Sequence, residues 1–189
     1  MTITICAFQV LIMEGSNAQI RIALGKPLAN IRLKNAENEI REIPDFGKKV
    51  VIVFYTDPDC KDVNDPLSKA VETGGFKDNI AGIGIANCAD TGIPDALIRK
   101  GTLKKEKQFP GSVLLLDKNH LLSNEWGLGN CNNISIVIVI GQDMKVRYFK
   151  YIKTEADSIK AIPEVIEIIK KEMNERRIDN PVYKNVYRG

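Results

Sequence analysis

Val50-Val51-Ile52-Val53-Phe54-Tyr55 runs into Thr56-Asp57-Pro58-Asp59-Cys60-Lys61-Asp62-Val63-Asn64, and the contrast between the two halves decides the fold. The first six residues are apolar, mostly β-branched, and show no polar alternation. A strand with one wet face alternates, so an unbroken run marks a central strand covered on both faces. The second half is a polar, acidic loop. Asp57 or Asp59 is placed to cap a following helix, which the pattern predicts from about Asp62 to Val71. Gly74-Gly75 ends that helix.

Working outward, two more buried strands appear at Ile80 to Ala86 and Ile134 to Ile140. Between them, Pro94 to Lys107 reads as a basic amphipathic helix with Ala96, Leu97, Ile98 and Leu103 apolar and an interruption near Gly101. Phe109-Pro110 closes it. Val113 to Leu116 is a short strand, Asp117-Lys118-Asn119 a turn, and Leu121 to Leu128 carries the only tryptophan, Trp126. Gly141 to Met144 turns the chain into Lys145 to Tyr151, whose alternation suits an edge strand. A final helix is predicted from about Ala156 to Arg176, with Ile159, Ile162, Val165, Ile166 and Ile169 at helical spacing. Toward the N-terminus, Ile31 to Leu33 and Ile40 to Ile43 flank a polar turn and form a hairpin. Helices alternate with buried strands, then a hairpin closes the order. This predicts an α/β fold with a central mixed β-sheet, helices on both faces and an N-terminal β-hairpin extension.

The chain has 189 residues, 44% of them hydrophobic and 27% charged, which suits one domain with a real core. That domain is expected over residues 19–176, followed by a polar tail at 177–189. The net charge is only +3, with basic and acidic residues interleaved. No basic stripe or stacking-aromatic module marks a nucleic-acid binder. No stretch reaches the roughly 20 apolar residues of a membrane span. Ile3 to Met13 is a short apolar run followed by Ser16-Asn17-Ala18. Residues 1–18 therefore read as a signal peptide whose charged start is truncated, implying a periplasmic or otherwise exported protein. A buried N-terminal strand, helped by Thr2-Ile3-Thr4-Ile5, is the alternative.

Several of these stretches resemble a known group. Gly25-Lys26-Pro27, Gly47-Lys48 and the run into Phe54-Tyr55 look like the opening of TlpA- and peroxiredoxin-type thioredoxin-like proteins. Phe109-Pro110 through Trp126-Gly127-Leu128, with Asp117 in the turn, looks like their segment before the active-site proline. Val137 to Ile140, with Asp143 and Val146, looks like the strand after it. Asn64 with Leu67, Asn87, Asp90, Ile93-Pro94, Arg99, Pro110 with Ser112, and Ser135 at the cis-proline position resemble the YtfJ family. Those are exported thioredoxin-like bacterial proteins without a settled function. The resemblance covers about residues 24–172 and implies a three-layer thioredoxin-like fold.

Thioredoxin chemistry needs a low-pKa thiolate at a helix start and a second cysteine on the same turn. The cysteines are Cys6, Cys60, Cys88 and Cys131, with no C-x-x-C. Cys60 has Asn64, not cysteine, one turn on. Asp57, Asp59 and Asp62 surround it and oppose a thiolate. Cys60, Asn64 and Ser135 are the candidate site residues, with Cys88 and Cys131 as possible thiol neighbours at the same sheet end. A Cys60–Cys131 disulfide is one possibility, and three free, half-buried thiols the other. The Cys60 to Asn64 segment also resembles the C-x-x-x-C of copper-delivering Sco proteins. A copper site wants two thiolates and a histidine, and the chain's single histidine, His120, lies in a polar turn without an arguable Ser–Asp constellation. No metal or cofactor is assigned. The reading is a non-redox, partner-binding protein, with loops 56–64 and 129–135 as the contact surface for a protein or peptide. The alternative is a single-cysteine thiol redox protein or peroxidase using Cys60.

Overall fold

The structure is a computed structural model that describes residues 21–76, 78–111 and 113–179. The expected leader at 1–18, Ser112 and most of the expected tail lie outside the described residues. Seven strands form one sheet. They are β1 (Arg32–Lys34), β2 (Ile40–Glu42), β3 (Val50–Thr56), β4 (Ile80–Asn87), β5 (Val113–Asp117), β6 (Ser135–Ile140) and β7 (Val146–Ile152). Their spatial order is β2-β1-β5-β4-β3-β6-β7. β3, β4 and β5 run parallel, while β6 and β7 close the other side antiparallel. The N-terminal hairpin joins the same sheet through β1 and β5.

The unbroken apolar runs have a direct cause. Successive strand residues point to opposite faces, and both faces are covered. Val51, Val53 and Tyr55 of β3 enter one core with Ile83, Ile85, Leu115, Ile136 and Ile138. The helix α3 (Leu121–Trp126) lies there, burying Leu122 and Trp126. Trp126 also donates from Nε1 to the carbonyl of Ala29 at 2.9 Å. Val50 and Ile52 enter the opposite core with Val137 and Val139. There α1 (Asp65–Thr73) contributes Leu67 and Val71, four apart. The helix α4 (Glu155–Asp179) contributes Ala161, Val165 and Ile169. A capping box opens α4: Asp157 N–H donates to Thr154 Oγ1 at 3.2 Å, and Thr154 N–H donates to Asp157 Oδ2 at 3.0 Å.

Some boundaries differ from expectation. Asp57 caps a short 3₁₀ turn, Pro58–Cys60, rather than α1 itself. α1 begins only at Asp65, where Pro66 occupies the first turn that proline favours. α2 (Asp95–Gln108) is continuous through Gly101. α4 extends to Asp179, so residues 177–179 belong to the helix and not to a loose tail. No helix among the described residues is long and apolar enough to cross a membrane.

Candidate functional site

The C-terminal ends of β3 and β4 and the N-terminal end of β6 lie at one edge of the sheet, because β6 pairs antiparallel with β3. The loops after β3 and before β6 are therefore neighbours. Asp57 fastens them together. It is fully buried, its Oδ1 accepts from Asp59 N–H at 2.9 Å, and its Oδ2 accepts from Asn133 N–H at 2.7 Å. Its own N–H donates to the carbonyl of Ile134 at 3.1 Å. Asp59 then reaches the next loop, accepting from Thr91 Oγ1 at 3.0 Å.

Asn64 and Ser135, singled out in the sequence, meet. Both are buried, and Asn64 Nδ2 donates to Ser135 Oγ. Thr56 completes the group: it is the cross-strand partner of Ser135, with the two hydroxyls 2.6 Å apart. Asn64 Nδ2 also donates to Thr56 Oγ1 at 3.3 Å, and Ser135 Oγ donates to the carbonyl of Tyr55 at 3.2 Å. Every hydrogen then has an acceptor. The remaining atom, Asn64 Oδ1, is buried without a partner.

Cys60 stays outside this network. Cys60, Cys88 and Cys131 are all free, so the disulfide considered above is not formed. Their thiols face the carbonyls of Asp57 (3.4 Å), Ala86 (3.5 Å) and Gly129 (3.4 Å) respectively. Burial, then the charge of Asp57, pushes the Cys60 thiol up to about 11. Burial, then Asp95, pushes Cys88 up to about 11. Burial, then Asp90, pushes Cys131 up to about 12. This is the reverse of an activated thiol. It also has a consequence for stability. An unfolded thiol releases its proton near its ordinary value of 9.0 while the folded one keeps it, so the unfolded state binds fewer protons as pH rises. The stabilisation is complete below that value and is lost upward through the folded values. The urea midpoint should therefore fall between pH ~9 and ~11, and less so in Cys60→Ser/Cys88→Ser; an unchanged midpoint would contradict the buried-thiol account.

The structure also assembles groups that the sequence did not bring together. His120 Nε2 lies 3.3 Å from Asp90 Oδ1, and Ser123 Oγ lies 3.4 Å from His120 Nδ1. These are the residue types of a serine relay, but Ser123 is buried and also faces the carbonyl of His120 at 3.3 Å, so it presents no nucleophile. Asp90 is held in turn by Asn87 Nδ2 at 2.6 Å. Arg99 ties α2 to the hairpin turn, donating to the carbonyl of Ala36 at 2.6 Å. The family-like polar positions Asn64, Asn87, Asp90 and Arg99 thus all serve as ties between elements. Asp57 was legible as a cap, whereas the part of Thr56 follows only from register: Thr56 faces Ser135 once β3 and β6 are aligned. Among the described residues, no group of three or more His, Cys, Asp or Glu side chains could hold a metal ion.

A family model described as "Bacterial protein of unknown function (YtfJ_HI0045)" matches residues 41–172. No curated protein sequence matches the chain. Among solved structures, a Chlorobium tepidum protein described as a thiol:disulfide interchange protein, DsbE, superposes with a TM-score of 0.59 at 13% identity, covering 79% of this chain and 99% of that one. A peroxiredoxin-like protein from Aquifex aeolicus has a TM-score of 0.59 at 11% identity, over 82% and 90%. Peroxidoxin BcpB from Mycobacterium tuberculosis has 0.56 at 16% identity, over 80% and 98%. At these identities the likeness is one of fold, and the fold is thioredoxin-like.

Proposed function

The chain belongs to the YtfJ_HI0045 family of bacterial proteins of unknown function, and from that premise we propose that it is an exported, non-redox thioredoxin-fold protein that binds a partner protein or peptide. Loops 56–64 and 129–135 form the contact surface. One observation carries this reading: Asn64, where a C-x-x-x-C would have its second cysteine, and Ser135, read as the residue at the cis-proline position, turn their polar groups inward into one hydrogen-bonded network. Such a network fixes the shape of the two loops and offers no redox group. The Asp57 ties to Asp59 and Asn133 hold the loops against each other, as a preformed binding surface requires. Export rests on the apolar run at residues 3–13 with Ser16 and Ala18 after it.

The competing reading, a thiol enzyme, needs a Cys60 thiolate, and the acidic, partly buried surroundings of Cys60 oppose one. The two separate by experiment. Photo-crosslinking residues at positions 61 and 130 should capture one discrete partner in a periplasmic extract, and Cys60→Ser should capture it equally well. The purified protein should consume hydrogen peroxide no faster than its Cys60→Ser variant, and Cys60 should alkylate at neutral pH more slowly than an unperturbed thiol. Capture that depends on Cys60, or peroxide turnover that the variant lacks, would overturn the reading.

A further inference from the structure

A cavity of about 1050 Å³ lies between α1, α2 and β4. That is at the upper end of the ~300–1,000 Å³ that ligand pockets span. Its origin is legible in the residues. Gly82, Gly84 and Ala86 form the floor, on the β4 face beside Ile52, Phe54 and Thr56 of β3. Leu114, the β5 partner of Gly84, leans over that part of the floor, and a Cβ added at Gly84 would collide with its side chain. Phe54, Val71, Ile98 and Phe109 supply apolar walls. α2 is held mainly by polar ties: Arg99 to the hairpin turn, Lys105 to Asp62 and Asp65, and Asp95 to Lys118. Gly101, in mid-helix, also lines the space, and a Cβ added there would meet nothing within 4 Å. Glycine in a helix interior costs about 1 kcal/mol against alanine, yet no contact here requires it.

Two further features point to an occupant. Asn64 stands in the cavity wall, 4% exposed, and its Oδ1 accepts no hydrogen bond. A buried acceptor without a donor is costly and calls for one. Charged side chains also line the cavity. Lys49 pairs with Asp45 and Lys105 with both Asp62 and Asp65, while Lys61 and Lys104 also line the space and enter none of these pairs.

We propose that this cavity binds a long-chain N-acyl amino acid: the acyl chain fills the apolar hollow, the amide N–H donates to Asn64 Oδ1, and the carboxylate meets Lys61 and Lys104. Each part of the ligand answers one unmatched feature of the site. Thr56, Pro58, Lys61 and Asn64 belong to both the cavity lining and loop 56–64, whereas loop 129–135 does not line the cavity, so partner capture read at position 130 and ligand binding can fail separately.

The probe is N-dodecanoylglycine, titrated calorimetrically below its micelle concentration. Saturable one-to-one binding is expected. Across the octanoyl, decanoyl and dodecanoyl homologues, affinity should tighten about fourfold per methylene. N-dodecanoylsarcosine, whose N-methyl group removes the donor, should bind about five- to tenfold more weakly. Gly101→Leu should fill the hollow and weaken binding at least about tenfold while leaving the melting temperature unchanged or higher. If that variant does not fold, the homologue and sarcosine series on the parent protein decide. No saturable binding of the dodecanoyl compound, equal affinity for the sarcosine analogue, or undiminished binding by folded Gly101→Leu would overturn the proposal.

Discussion

Asp117→Ala should destabilise the protein by about 3–5 kcal/mol, because one buried carboxyl satisfies four donors at once. Its Oδ1 accepts from Leu121 N–H at 2.8 Å. Its Oδ2 accepts from Leu122 N–H at 3.0 Å, Ser123 N–H at 3.4 Å and Tyr55 Oη at 3.1 Å. The first three are orphan amides at the start of α3, and the fourth is the hydroxyl of a fully buried tyrosine in the central strand. Alanine would strand all four. For a domain of this size each kcal/mol moves the melting temperature by about 2–4 °C, so a fall of about 10 °C is expected by circular dichroism. Asp117→Asn, which keeps the shape and one acceptor oxygen, should cost about half as much. Tyr55→Phe alone should cost only about 1 kcal/mol. Because phenylalanine no longer needs the acceptor, the Tyr55→Phe/Asp117→Ala pair should be less damaging than the two losses added. A fall of only a degree or two for Asp117→Ala would mean that water replaces the carboxyl and that α3 is not anchored there.

Asp117 also illustrates which parts of the fold can be read from sequence. β3, β4 and β6 were plain, because runs covered on both faces lose their alternation. Asp117 itself looked like a turn residue, since an acid before Lys118-Asn119 is ordinary turn chemistry. Its role as a cap depends on His120 adopting a left-handed backbone with φ of 54°, which folds α3 back over the carboxyl. No periodicity announces a six-residue helix held in this way. The start of α1 was misplaced because Asp57 and Asp59 competed as caps, and Pro66 was the stronger marker. The break expected at Gly101 did not occur, since one mid-helix glycine is tolerated. At the site, Asn64 and Ser135 stood out by resemblance, but their contact did not: they are 71 residues apart and meet only through the antiparallel register of β3 and β6. The His120–Asp90 pair was illegible for the same reason, joining the loop after β4 to the one after β5.

The network at Ser135 supports the second large effect. Ser135→Ala should cost about 2–3 kcal/mol, although it deletes a single oxygen. That oxygen accepts from Asn64 Nδ2, lies 2.6 Å from Thr56 Oγ1 and donates to the carbonyl of Tyr55, all in a buried setting. Removing it leaves Asn64 Nδ2 with only the 3.3 Å bond to Thr56. Asn64→Ala removes more atoms, yet it should cost less. It leaves the Thr56–Ser135 pair intact and deletes Oδ1, an acceptor that is already unpartnered. The double variant should therefore fall short of the sum of the single losses by about 1 kcal/mol, the mark of a shared network. In Ser135→Ala, amide hydrogen exchange should accelerate at residues 61–64, because their link to β6 has gone. The rate of Cys60 alkylation should stay unchanged, because the Cys60 thiol contacts the carbonyl of Asp57 and no member of the network. That separation is the decisive part. If Ser135→Ala raised Cys60 reactivity, the serine would be restraining a latent thiol site. If it loosens the loop and leaves the thiol inert, then Asn64 and Ser135 act as a brace between the two loops and not as a restraint on Cys60.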